Sequence, residues 1–245
     1  MKVRLIRQTG HERLEGTIEC MTGLHIGNPG EVIEIGGLEN AIIKHPITQE
    51  PYIPGSSLKG QMRALLELWE GKVMPSGEPH KCQTLEQAIE CPICRIFGLP
   101  GDADFGIGPA RLIVRDANLR SVPGGGSRTQ TEVKWENVIN RLSGTADNPR
   151  QVERVPAGTT FHLELGYRQF EMEAWTEDED GRKVPQQISS DQAMLASVKK
   201  ALRLLELDTL GGSGSRGYGK VAFRDLRIVH QDGTHDPVDI KEVEL

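Results

Sequence analysis

The chain has 245 residues, of which 37% are hydrophobic and 4% aromatic, and its formal net charge is −6 at pH 7. This is enough apolar material for one large domain, it leaves few rings to stack on bases, and no apolar run approaches the ~18 residues of a membrane span. The acidity is uneven: residues 171–180 hold six acids and no Lys or Arg, whereas 111–154 hold eight Lys/Arg against five Asp/Glu, so a locally basic face can still neutralise phosphates.

Met1 to Gln8 mixes charges with aliphatics and has no apolar signal region, so a cytoplasmic protein away from membranes is expected. Leu14, Gly16, Ile18 and Cys20 alternate with polar residues and predict a half-buried strand. Gly23 to Gly37 is a glycine-rich loop, and Ile42 to Pro54 is mixed, with turns at its prolines. Ser56 and Ser57 then precede Leu58, Met62, Leu65, Leu66 and Trp69 at helical spacing, with a serine as the expected N-cap and Gly71 as the stop. Further helical pieces run from Leu85 to Ile96 and are interrupted by Pro92. Arg111 to Arg115 reads as a strand, Ser121 to Ser127 as a loop, and Thr131 to Val155 as an inserted hairpin. Phe161 to Tyr167 alternates as a strand, and Glu171 to Val184 reads as an exposed acidic connection. Met194 to Leu205 is a second amphipathic helix, Gly211 to Gly219 a glycine loop, and Val221 to Val229 a closing strand. The order, strand–helix–strand twice over, predicts an α+β fold with a ferredoxin-like or RRM-like core. One domain over 1–245 is expected, with insertions at about 73–108 and about 118–158.

Three motifs carry chemistry. His80, Cys82, Cys91 and Cys94 place four soft ligands within fifteen residues, the pattern of a structural Zn²⁺ site. A redox Cys-x-x-Cys and a set of free buried thiols are the competing readings. The loop Gly211–Gly219, carrying Arg216, either lets amides approach a phosphate closely or is a flexible turn. It lacks the Lys-Ser/Thr ending of a nucleotide-binding loop. Ser56, Ser57, Lys59 and Arg63 put hydroxyls and two cations, four residues apart, at a helix start. That is either a phosphate site or a capped surface helix.

Taken together, several stretches resemble the repeated backbone subunit of type III-A (Csm) CRISPR effector complexes, in the RAMP superfamily. They are Thr22 to Gly27, Tyr52 to Gly60, Ile96 to Gly98, Thr131 to Asn137, Asn148 to Arg154 and Leu210 to Gly219, in family order. The resemblance implies an RRM-like core, a thumb hairpin and a helical head or lid, the insertion that the His/Cys motif would staple with zinc. It further implies copies that stack along a guide crRNA beside other complex subunits, with target single-stranded RNA cut at regular intervals by a metal-dependent reaction using Mg²⁺ or a similar ion. His25, Ser56, Ser57, Lys59, Arg63, Lys134, Arg150, Arg154 and Arg216 are the RNA-binding residues it implies. The family's cutting aspartate falls in an Ile-Gly-x-Ile-Asp-Ser/Asn motif. The matching segment here is Ile35-Gly36-Gly37-Leu38-Glu39-Asn40, so Glu39 stands at that place. Two readings follow: a subunit that binds guide and cleaves target through Glu39, and a scaffold that binds without cutting. A guide-processing endoribonuclease working through His25 is the third.

Overall fold

The computed structural model describes residues 1–27, 40–101 and 103–245. Glu39 therefore lies outside the described residues. The strands are β1 (Lys2–Cys20), β2 (Tyr52–Ile53), β3 (Leu112–Val114), β4 (Ala117–Ser121), β5 (Glu132–Ile139), β6 (Ala146–Arg154), β7 (Thr160–Glu177), β8 (Lys183–Gln186), β9 (Val221–Val229) and β10 (His235–Pro237). The helices are α1 (Gly55–Trp69), α2 (Leu85–Glu90), α3 (Pro92–Phe97) and α4 (Asp191–Leu207).

One antiparallel sheet runs in the order β10-β9-β1-β7-β4-β2, with β3 and β8 also on β7. Adjacent to one another, α1 and α4 bury their apolar stripes. Leu58, Met62, Leu65 and Leu66 from the first meet Met194, Leu195, Val198, Ala201, Leu202 and Leu205 from the second in the core, with Leu14, Ile18, Phe161 and Leu163 from the sheet. The expected alternation of two β–α–β halves is thus present, and the mixed helix-and-sheet class holds.

Four expectations need correction. Pro54, not a serine, stands at the N-cap of α1; Gly55 is already helical, and its amide donates to Asp116 Oδ1 at 2.8 Å. A carboxylate from the connection between β3 and β4 therefore satisfies the helix start, and Ser56 and Ser57 lie within the first turn. The acidic stretch from Glu171 is not a connection: β7 continues to Glu177 and turns back as β8. Its acids are cross-strand partners of β1, Glu171 to Arg7 at 2.7 Å and Glu173 to Arg4 at 3.5 Å. Such pairing lets a charged sequence stay in a sheet. For the same reason β1 begins at Lys2 rather than near Leu14, since its outer half lies in this charged ribbon rather than on the core. Finally, β4 pairs with β7 in the main sheet, so the hairpin insertion starts after Ser121 rather than at 118.

A buried ion cluster joins the helical insertion to the core. Asp191, the first residue of α4, accepts from Arg95 of α3 at 2.5 Å and from Arg111 Nε at 3.0 Å, and each of these side chains is at most 1% exposed. Its other oxygen accepts from the Phe170 amide at 2.8 Å. Arg95 also donates to the carbonyls of Ile89 and Ser189, and Arg111 to those of Ile107 and Pro109 and to Met172 Sδ, while Arg95 Nε is buried without a partner.

Candidate RNA interface and metal cluster

Thr22 to His25 forms a narrow seam between the glycine loop and the hairpin of β5 and β6. On one side, the amides of Gly212 and Gly219 donate to the carbonyls of His25 and Gly23, each at 2.9 Å. On the other, Leu24 and Val155 exchange backbone hydrogen bonds of 3.0 and 2.8 Å. Gly211 and Gly219 both have positive φ, and a Cβ on either would run into a carbonyl oxygen, of His25 and Leu210 respectively. The glycines here are therefore required by a left-handed backbone held in close approach, which goes beyond a loose turn.

Strand alternation in the hairpin sorts its side chains. Glu132, Lys134 and Glu136 of β5 face Arg154, Val152 and Arg150 of β6 in register. This face rests on the glycine loop. Glu136 Oε2 accepts from both Arg150 (2.9 Å) and Arg216 (3.1 Å), Lys134 Nζ donates to the Arg216 carbonyl at 3.3 Å, and Lys134 and Arg154 flank the ring of buried Tyr218 at 4.4 and 5.1 Å. Burial alone would push the Glu136 carboxyl up, but Arg150, Tyr218 and Arg216 outweigh it and hold it below the usual range. Tyr218 is itself raised by burial and by Glu136, although its hydroxyl falls short of hydrogen-bond geometry. The opposite face carries Val133 and Trp135, 44% and 59% exposed, and Leu142 at the turn is wholly exposed.

At the hairpin root, buried Glu153 gathers a second set of contacts. Its carboxylate accepts from the Ile42 amide (3.1 Å), Lys44 Nζ (2.6 Å) and Thr131 Oγ1 (2.6 Å). Burial opposes its ionisation, yet these bonds hold its pKa below the ordinary value. Its amide donates to the Asn40 carbonyl at 3.0 Å, and its own carbonyl lies 2.7 Å from His25 Nδ1. A carbonyl only accepts, so Nδ1 carries a proton in this contact.

His25, Lys134, Arg150, Arg154 and Arg216 are thus brought together from four chain segments. Lys59 and Arg63 are not with them. They share a helix face as the spacing predicts, but that face points inward. Lys59 Nζ donates to the Leu112 carbonyl at 3.1 Å, and its pKa is lowered by burial and by Arg63 and Arg168. The Arg63 guanidinium is spent on Glu67, Gly98 and His80. Glu136, Glu153 and Tyr218 lie in stretches that carry the resemblance but are not among the binding residues it implies. The one available signal was the alternation of acids and bases along Glu132 to Glu136 and Arg150 to Arg154.

His80, Cys82, Cys91 and Cys94 converge, with all four ligand atoms within 4.8 Å of one another. His80 Nε2 lies 3.4 Å from Cys82 Sγ and 3.6 Å from Cys91 Sγ, and the sulfurs of Cys82 and Cys94 are 3.6 Å apart. Cys91 follows α2 and caps α3, which opens with Pro92 and carries Cys94 one turn on. The Cys91 thiol is held down to about 4 by hydrogen bonding from Cys94, and Lys72 adds to the effect; Cys94 is raised in turn. Three thiols and an imidazole at this separation can hold a metal ion. The fourth cysteine, Cys20, is buried in the core and its thiol is pushed up to about 12, which makes it inert.

Comparison with known proteins agrees with this architecture. The RAMP superfamily model matches residues 17–222. A protein of Methanothermobacter thermautotrophicus described as "CRISPR system Cms endoribonuclease Csm3" is 40% identical over 232 residues, covering 88% of this chain and 84% of its own. A protein of Streptococcus thermophilus with the same description is 40% identical over 235 residues, covering 94% and 95%. Among solved structures, the Csm3-Csm4 subcomplex of the type III-A CRISPR-Cas interference complex has a matching chain at TM-score 0.55 and 29% identity, covering 98% of this chain and 95% of that one. Methanopyrus kandleri Csm3 matches at TM-score 0.55 and 27% identity, covering 90% and 77%. With its sheet order, its hairpin insertion and these matches, the chain belongs to the RAMP superfamily, in the Csm3 family.

Proposed function

We propose that this chain is a guide-RNA-binding backbone subunit of a type III CRISPR effector complex. Copies of it would line a crRNA beside other subunits in the cytoplasm, and complementary single-stranded target RNA would be cut at regular intervals. The observation that carries the reading is the meeting of His25, Lys134, Arg150, Arg154 and Arg216 where the hairpin root joins the glycine loop. Guanidiniums from two elements sharing one carboxylate oxygen are spaced to grip a phosphate as well. The His25 ring, with Nδ1 donating to the Glu153 carbonyl, leaves Nε2 to meet a 2′-hydroxyl. Exposed Trp135 and Leu142 on the hairpin give an apolar body to insert between bases without reading sequence. Ser56, Ser57 and Lys59 are weaker RNA contacts, because Asp116 already sits at that helix start.

His80, Cys82, Cys91 and Cys94 are proposed to hold one structural Zn²⁺. Tetrahedral bonds of about 2.3 Å to sulfur and about 2.0 Å to nitrogen set ligand atoms roughly 3.5–3.8 Å apart, and the closest ligand pairs here lie at 3.4–3.6 Å. For cleavage, Glu39 is the proposed carboxylate, with Mg²⁺ or a similar ion as its cofactor. The reading is tested by assembling the complex with guide and matched target RNA. Regularly spaced, divalent-ion-dependent products that vanish with Glu39→Ala, while RNA binding persists, support it. Binding with no cleavage by the wild-type complex would make the chain a scaffold, and no RNA binding at all would defeat the reading.

A further inference from the structure

We infer that the C-terminal half of α1 is the support that fixes the metal cluster, with Arg63, Glu67 and Lys72 as its positioning residues. This rests on the Zn²⁺ reading above and adds residues that do not touch the ion.

The cluster has little local support of its own. Its ligands lie in a segment rich in turns and two helices of six residues each. Helices that short have little stability of their own. Something outside must hold His80 and the cysteines at fixed separation, and the contacts identify it. Glu67 Oε1 accepts from the His80 amide at 3.0 Å and from Arg63 Nε at 2.7 Å. Arg63 also donates to the His80 carbonyl at 2.7 Å. The ligand's backbone is therefore gripped at both its N–H and its C=O by one ion pair. The same guanidinium donates to the Gly98 carbonyl at 3.2 Å, and Gly98 caps α3 with its amide on the Cys94 carbonyl. Arg63 thus spans both arms of the cluster, the His80 arm and the Cys94 helix. Lys72, whose amide is bound to the Glu67 carbonyl at 2.8 Å, reaches Cys91 Sγ at 3.5 Å. Three thiolates around Zn²⁺ leave one net negative charge, which the Lys72 ammonium offsets.

Arg63 and Glu67 belong to a helix of 15 residues, with Lys72 just beyond its end, whereas the ligands sit in turns and six-residue helices, their cysteines packed into the same core. Metal binding and the register of α1 are consequently coupled: the helix prepares the cluster, and the loaded cluster locks Arg63 and Glu67 in place.

The test uses the full-length protein loaded with zinc or cobalt. Zinc transfer to a chromogenic chelator is timed for wild type, Glu67→Gln, Arg63→Met and Lys72→Met, and the ligand-field bands of the cobalt forms are recorded. We expect transfer about tenfold or more faster for Glu67→Gln and Arg63→Met, with shifted cobalt bands, and a smaller acceleration for Lys72→Met. Arg63→Lys should not rescue, because a lysine cannot reach His80 and Gly98 together. Single-stranded RNA affinity serves as the second readout. Unchanged zinc transfer and cobalt bands in a wild type that carries zinc overturn the support alone. Loss of RNA affinity with unchanged metal behaviour would return Arg63 to phosphate binding and likewise overturn it. A wild type that binds neither metal refutes the Zn²⁺ reading first and the support with it. Should Arg63→Met fail to fold, the partly exposed Lys72→Met still decides the outcome.

Discussion

Replacing Arg150 and Arg216 together with alanine is the sharpest test of the proposed RNA interface. Four cations meet at the hairpin root: Lys134, Arg150, Arg154 and Arg216. If each neutralises one phosphate of a single strand, this site contributes a slope of about −2.8 to the dependence of log Kobs on log salt, at about −0.7 per contact. Between 50 and 200 mM salt that amounts to a loss of roughly 50-fold in affinity, by the same relation. The double variant removes two contacts, so its slope should fall to about −1.4 and its loss to roughly sevenfold. It also leaves Glu136 without either guanidinium, an anion facing the RNA, so affinity at low salt should drop more than two contacts alone would cost. Anisotropy of a labelled single-stranded RNA, titrated at several salt concentrations, measures both quantities. An unchanged slope would mean that these arginines serve only Glu136, and the interface would have to lie elsewhere.

Other perturbations act on the elements that carry this interface. Asp191→Asn leaves the buried guanidiniums of Arg95 and Arg111 uncompensated; we expect a loss of about 3–5 kcal/mol, or roughly 6–20 °C in Tm for a chain of this size, and a loss below about 1 kcal/mol in urea denaturation would refute the account. Glu153 has a folded pKa below its unfolded value, so its stabilisation is complete above the unfolded pKa of about 4.3 and is lost as pH falls through the folded value. Hydrogen exchange at the Ile42 amide should accelerate over that acid range in wild type, and Glu153→Gln should exchange faster at neutral pH with little acid response. Cys91→Ser with Cys94→Ser should abolish bound zinc, about one per chain in wild type by elemental analysis, and should destabilise the α2–α3 segment while sparing the main sheet.

The sequence is legible where one periodicity meets one environment. The α4 stripe from Met194 to Leu205 and strand β9 follow their patterns because each lies flat on the core. The His80, Cys82, Cys91 and Cys94 cluster is readable because that spacing of soft ligands has few other uses. Legibility fails where polar residues are satisfied by partners far away in the chain. Residues 171–177 look like a solvated connection until Arg4 and Arg7 are placed across from them. Pro54 replaces the expected serine cap because Asp116, 61 residues away, supplies the acceptor. Lys59 and Arg63 illustrate the same point. Their spacing correctly puts both on one face of α1, but spacing does not say whether that face looks out to phosphate or in to the carbonyls of Leu112, Gly98 and His80.

The hairpin root joins the residues proposed to hold the guide to the segment that follows the proposed cutting group. Glu153 sits on β6 two residues before Val155, which pairs with Leu24, and its carbonyl meets the His25 ring. The same residue binds Asn40, Ile42 and Lys44 through its amide and carboxylate, and Asn40 directly follows Glu39 in the chain. The buried carboxylate of Glu153 therefore ties the strand that carries Arg150 to the segment Asn40 to Lys44, which begins at the residue next to the proposed cutting group. One strand thus carries the arginine proposed to meet RNA on one face and the glutamate that anchors Asn40 to Lys44 on the other.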